Sequence, residues 1–139
     1  MRIMAIDYGD AHTGVAVSDL TGMLAGYTEV INSRREEAVL HRLGELIEEY
    51  GVEELVLGYP KNMDGTLGPR AEKAEALSQT LEKTFPLPVR LWDERRTTIE
   101  AHGILFSAGK NGKKRKKTVD AVAAALILEG YLTFRAREK

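Results

Sequence analysis

Apolar residues fill the stretch Ile3-Met4-Ala5-Ile6 without interruption, and the run stops at Asp7, where Tyr8-Gly9 turns the chain. A second run, Gly14-Val15-Ala16-Val17-Ser18, follows a short polar turn, a pattern that predicts a β-hairpin. Leu24 to Ile31 reads as a third strand after Thr21-Gly22. Ser33-Arg34-Arg35-Glu36 matches a capping box, and Val39, Leu40, Leu43, Leu46, Ile47 and Tyr50 then recur at helical spacing up to Gly51. Leu55-Val56-Leu57-Gly58 predicts a short buried strand. A helix follows Gly68-Pro69, with Ala74, Leu77 and Leu81 on one face. Val89-Arg90-Leu91-Trp92 is the fifth strand, itself buried. Thr97-Thr98-Ile99-Glu100 offers a second capping box for a helix to about Ala108. Gly109 to Lys117 carries Asn-Gly and many lysines and reads as a mobile loop; the last helix, from about Thr118, is apolar nearly all round and therefore buried.

The order β-β-β-α-β-α-β-α-α predicts an α/β fold: a five-stranded mixed sheet with helices on both faces. Strand four, its crossover helix and strand five form a βαβ unit, so those strands run parallel and end on one edge. Ligands of open α/β sheets collect at such carboxyl ends. With the first strand parallel to these two, Asp7, Gly58 and the pair Asp93-Glu94 share that edge, whereas Asp19, ending the antiparallel second strand, sits at the other. Singly, each acid has an ordinary explanation. Asp7 suits a turn, Glu94 a surface pairing with Arg95 or Arg96, and Asp120 a helix start. A carboxylate at the tip of a buried strand is nevertheless costly unless a cation meets it. Several on one edge suit metal-dependent phosphodiester chemistry.

Length and composition narrow the field. The 139 residues fit one domain, 1–139, with no internal repeat or second boundary. No apolar stretch reaches membrane-spanning length and no signal peptide opens the chain, which predicts a cytoplasmic protein with no membrane partner. There is no cysteine, hence no disulfide and no thiolate ligand. His12, His41 and His102 lack the spacing of a shared metal site, and Trp92 reads as core. The net charge is −1, yet six of the 20 basic residues (Lys110, Lys113, Lys114, Arg115, Lys116 and Lys117) lie within one short segment. The other 14 face 21 acidic residues, so the remainder carries −7. One basic segment on an acidic body suggests a polyanionic partner met at one place.

In order, Asp7-Tyr8-Gly9, Gly14 to Asp19, Gly58-Tyr59-Pro60, Asp64 to Gly68, Asp93-Glu94-Arg95 with Thr97-Thr98, and Lys114 to Lys117 before Asp120 and Ala123-Ala124 resemble the YqgF/RuvX-type pre-16S rRNA nucleases. These are relatives of Holliday junction resolvases with an RNase H-like fold. The resemblance covers nearly the whole chain. It implies Asp7, Glu94 and Asp120 as catalytic acids and ligands of one or two Mg²⁺ or Mn²⁺ ions, with Glu94 chosen over Asp93. Oxygen-only ligands suit such hard cations. Lys113, Lys114, Arg115, Lys116, Lys117, Arg70 and Arg95 are the expected nucleic-acid contacts. Two departures stand out: Ala11-His12-Thr13 where the family commonly has Lys-Arg-Ile, and Glu129 in place of a glutamine.

The implied substrate is structured RNA, the 5′ end of pre-16S rRNA, with branched DNA as the alternative; the protein is a monomer or a homodimer. Two other readings remain at this stage. An actin-like nucleotide-binding domain shares the fold and the apolar-Asp-x-Gly hairpin, but needs two lobes. A non-catalytic nucleic-acid-binding module needs no acids at all, since backbone binding gains nothing from clustered negative charge.

Overall fold

The structure is a computed structural model that describes residues 2–19, 25–59, 68–93 and 112–137, with side chains of the last stretch described over 122–135. Five strands form one sheet: β1 (Arg2–Asp7), β2 (His12–Ser18), β3 (Ala25–Asn32), β4 (Val52–Tyr59) and β5 (Val89–Asp93), in the order β3-β2-β1-β4-β5. The first three pair antiparallel, while β1–β4 and β4–β5 pair parallel. The expected mixed sheet is therefore present, and β1, β4 and β5 do end on one edge. The helices are α1 (Glu36–Tyr50), α2 (Pro69–Thr84) and α3 (Gly112–Arg137). The predicted helix from Thr97 to Ala108 lies outside the described residues.

Strand alternation divides the core into two layers. Met4, Ile6, Val15, Val17, Leu55 and Leu57 face α1 and α2, against Val39, Leu43, Leu46, Ala71, Ala74, Leu77 and Leu81. Ile3, Ala5, Ala16 and Val56 face α3, against Ala124, Ile127, Leu128, Tyr131 and Leu132. Uninterrupted apolar runs in β1 and β4 follow directly from this, because both faces of those strands are covered. At the amino half of β4 the buried Glu54 accepts a hydrogen bond from the Tyr131 hydroxyl and lies 3.6 Å from Arg135. These contacts pin α3 to the sheet. Among the described residues no helix is long and apolar enough to cross a membrane.

Three local expectations are corrected. The Ser33 capping box does not form: the Ser33 N–H donates to the Ala11 carbonyl, holding Ser33 at the sheet, and its hydroxyl accepts from Arg35 N–H. Arg35 becomes the N-cap, without a side-chain cap bond. The basic run is not loop. From Gly112 on, Lys113 to Lys117 are helical, as good intrinsic helix formers permit, and α3 begins six residues before Thr118. Strand β5 is not buried either; it is an edge strand with Leu91 exposed, and Trp92 is half-buried against Tyr131 and Phe134. Gly51 does end α1, with φ 63° and its N–H donated to the Ile47 carbonyl, and Pro69 opens α2.

A bidentate pair ties β3 to α1. Arg42 Nε and Nη2 each lie 2.7 Å from a Glu29 carboxylate oxygen, and the Tyr27 hydroxyl also donates to it. The Arg42 hydrogen bonds hold the Glu29 carboxyl below its usual range, outweighing burial. A depressed folded value means stabilisation that is present above the unfolded glutamate pKa and lost as pH falls through the folded one. Arg42→Ala is expected to lower stability modestly at pH 7, both groups being partly solvent-screened. Thermal melts across pH 7 to about 2.5 should show the gap to wild type narrowing with acid. A gap constant with pH would exclude the pair as its source.

Candidate active site

Asp7 is the last residue of β1, half-buried at the edge where β4 and β5 also end. It is two residues beyond Ala5 and four beyond Ile3, so it belongs to the α3 face of the sheet. Its cross-strand neighbours on that face are glycines. On one side Asp7 pairs with Gly14. On the other, one step past the Ile6↔Leu57 pair, lies Gly58, on the same face as Val56. The two strands beside Asp7 therefore carry glycine at its level, and the residues behind it, Ala5, Ala16 and Ala124, are small. The turn after Asp7 is equally constrained. A Cβ on Gly9 would sit 2.4 Å from the His12 carbonyl oxygen, which only glycine avoids.

Position 120 lies on α3, one turn before Ala124 and two before Ile127, on the helix face that those residues turn to the sheet. Tyr131 and Arg135 meet Glu54 near the amino end of β4, which directs the other end of α3 toward the carboxyl edge. Asp7 belongs to the layer that α3 packs on. Asp93 belongs to the other: it pairs with Tyr59, which packs in the α1/α2 core. Register therefore separates Asp93 from Asp7, a distinction that apolar periodicity could not make. Glu94 and Arg95 lie outside the described residues, as do the side chains of Asp120 and Lys113 to Lys117. Among the described residues no three metal-ligating side chains cluster.

Asp19 follows β2 at the opposite edge, as antiparallel pairing requires, with its Cα 3.1 Å from where a Cβ on Gly26 would lie. The His12 ring nitrogen Nδ1 is 2.7 Å from Asn32 Oδ1, and His41 is an exposed residue of α1 near Glu45. His102 lies outside the described residues. Arg70 is exposed in the first turn of α2.

Sequence reasoning missed the polar cluster beside the β1–β2 turn. Lys73 Nζ on α2 lies 2.8 Å from Asp10 Oδ1, and a hydrogen bond from Lys73, with further help from Arg70 and Arg34, holds the Asp10 carboxyl below its usual range. Tyr8 faces this side; burial first, then Glu36 and Asp10, push its hydroxyl up. The Tyr59 hydroxyl donates to Glu75 and is raised to about 12, so it stays protonated near neutral pH. Partners 63 residues apart leave no local signal; the one available hint was two cations at the start of α2.

Residues 1–134 match the RuvX family, described as Holliday junction resolvase. The chain belongs to the RuvX family. A relative from Halothermothrix orenii named "Putative pre-16S rRNA nuclease" is 50% identical over 135 residues, 97% of this chain and 96% of the relative. One of the same name from Bacillus subtilis is 46% identical over 134 residues, 95% of this chain and 97% of the relative. Among solved structures, RuvC of T. thermophilus in complex with a Holliday junction substrate superposes with TM-score 0.62 at 16% identity, covering 99% of this RuvX chain and 96% of RuvC. A ROK hexokinase from Thermus thermophilus reaches 0.51 at 21% identity, covering 73% of this chain and 38% of the hexokinase. At such identities these likenesses establish the fold, which is RNase H-like.

Proposed function

We propose that this RuvX chain, read as one nuclease domain over 1–139, hydrolyses phosphodiester bonds of structured RNA at the 5′ end of pre-16S rRNA. Asp7, Glu94 and Asp120 are its catalytic acids. The observation that carries the reading is Asp7 at the carboxyl edge, flanked by Gly14 and Gly58, in the layer that α3 closes. Glycine on both flanking strands leaves room for a backbone phosphate to approach this carboxylate. The family name and the relatives' names support the substrate class.

The donor set fits a hard divalent cation: carboxylates, no cysteine, and glycines on the flanking strands that leave room for an ion with its substrate oxygens. Asp7, Glu94 and Asp120 would hold Mg²⁺ or Mn²⁺, which when bound acidifies water and neutralises phosphoryl charge. The chain's own residues do the rest. Asp7 presents its carboxylate from a strand locked between β2 and β4, so its position costs little reorganisation. Gly9 and the Asp7↔Gly14 pair keep the turn tight enough that the carboxylate stays at the rim. Arg70, Arg95 and the run Lys113, Lys114, Arg115, Lys116 and Lys117 contact phosphates; such contacts position a substrate without reading its sequence.

A Holliday junction is the second reading, favoured by the family description. The purified chain should be incubated with an RNA spanning the 5′ end of a 16S precursor and, separately, with a four-way DNA junction. Each should be tested with Mg²⁺, Mn²⁺ or EDTA. Metal-dependent cleavage of the RNA is expected. Metal-dependent cleavage of the junction alone would move the substrate to DNA; cleavage of neither, or cleavage indifferent to EDTA, would end the proposal.

A further inference from the structure

On the α1/α2 side of the same edge, Lys73 pairs with Asp10, Arg70 lies one turn before it on α2, and Arg34 follows Ser33, which is hydrogen-bonded to Ala11 beside Asp10. Lys73 and Arg70 come from α2 and Arg34 from the link between β3 and α1, all bearing on Asp10 at the tip of the first hairpin. The acids facing this group are Asp10 itself and, across Tyr8, Glu36. Arg70 and Lys73 occupy the first five residues of α2. There the helix dipole is already positive and repels cations, so both residues oppose the local rule that places lysine and arginine at helix C-termini. The Asp10 hydrogen bond and charge favour the charged form of Lys73, and Arg70 opposes this only weakly. Cations placed against the helix dipole in this way depart from local preference, as residues at functional surfaces do. These exposed cations, with Glu72 the acid of the same first turn of α2, lie beside the hairpin that follows Asp7 and can meet a phosphate backbone.

We propose that Arg34 and Lys73, alongside Arg70, form a phosphate-contacting strip on the α1/α2 side of the active edge, with Asp10 as a built-in competitor that holds Lys73 until a phosphate displaces it. The strip places nucleic acid across both layers of the fold, with α3 and its basic run on one side and the β1–β2 turn on the other. It rests on the nuclease reading only for the identity of its partner.

The test is binding of the full-length chain to a fluorescently labelled RNA stem–loop in EDTA, where no cleavage interferes, over a range of KCl concentrations. The double variant Arg34→Gln/Lys73→Gln should lose roughly tenfold or more in affinity, and the slope of log K against log salt should fall by about 1.5, as for two lost phosphate contacts. Asp10→Asn should act in the opposite direction, tightening binding several-fold, because it removes the competitor. A purely structural Asp10–Lys73 ion pair predicts the same sign for both changes. Lys73→Arg, which keeps the charge, should restore the slope. An unchanged slope in the double variant, or weaker binding by Asp10→Asn, would overturn the strip. If wild type binds with the expected slope changes but cleaves nothing with metal, the nuclease reading fails and the strip stands.

Discussion

Asp7→Asn is expected to lower metal-dependent cleavage by at least about a hundredfold while leaving the fold intact. The substitution keeps size and hydrogen-bonding reach but removes the negative charge, and charge neutralisation in such sites is worth several kcal/mol, where each 1.36 kcal/mol is tenfold in rate. Its flanks, Gly14 and Gly58, leave the new amide room without a clash. Melting temperature should therefore stay within a few degrees of wild type, as is usual for a substitution that opens no cavity. Cleavage measured beside a melt separates the outcomes: a well-folded Asp7→Asn protein that cuts at the wild-type rate would remove Asp7 from the catalytic machinery. Calorimetric titration with Mn²⁺ gives the second readout, since binding should weaken in parallel with rate.

Ile127→Ala should produce the largest loss of stability. Ile127 is fully buried on α3 among Ile3, Ala5, Ala16 and Val56. Truncating such a side chain removes its burial and leaves a cavity, together costing about 2–5 kcal/mol. For a chain of this size that is on the order of a 10 °C fall in melting temperature. Because Ile127 lies two turns beyond position 120, loosening this seam should also reduce cleavage below the melting transition. Leu77→Ala provides the control, being equally buried but in the α1/α2 layer. It should cost comparable stability and spare more of the activity per kilocalorie lost. Equal activity losses from the two variants would mean that α3 does not position the site. Denaturant unfolding and single-turnover cleavage, measured on both proteins, decide it.

Much of the architecture is legible because its signals are local or periodic. Uninterrupted apolar runs mark β1 and β4 as strands covered on both faces, and the core confirms it. The βαβ unit from β4 to β5 follows from length and connection rules, so the shared carboxyl edge at Asp7 follows too. Gly51 and Pro69 mark helix boundaries through backbone geometry intrinsic to those residue types. Less was legible where two structures compete for one segment. Ser33 could cap a helix or continue the sheet, and its N–H went to Ala11. The lysine run could be loop or helix, since lysine suits either.

By itself, then, the sequence determined the strands, the order of layers, the edge that carries Asp7 and the family to which the chain belongs. These follow from side-chain period, chain length and residue-specific backbone limits, all properties of short segments. Only the tertiary structure decided which face each acid shares. Register sets Asp7 on the α3 face of the sheet and Asp93 on the other, while α2 brings Lys73 to Asp10 from 63 residues away. The physical reason is that a strand turns successive side chains to opposite faces. A single step in pairing therefore exchanges site for core, and pairing is decided by contacts between distant segments.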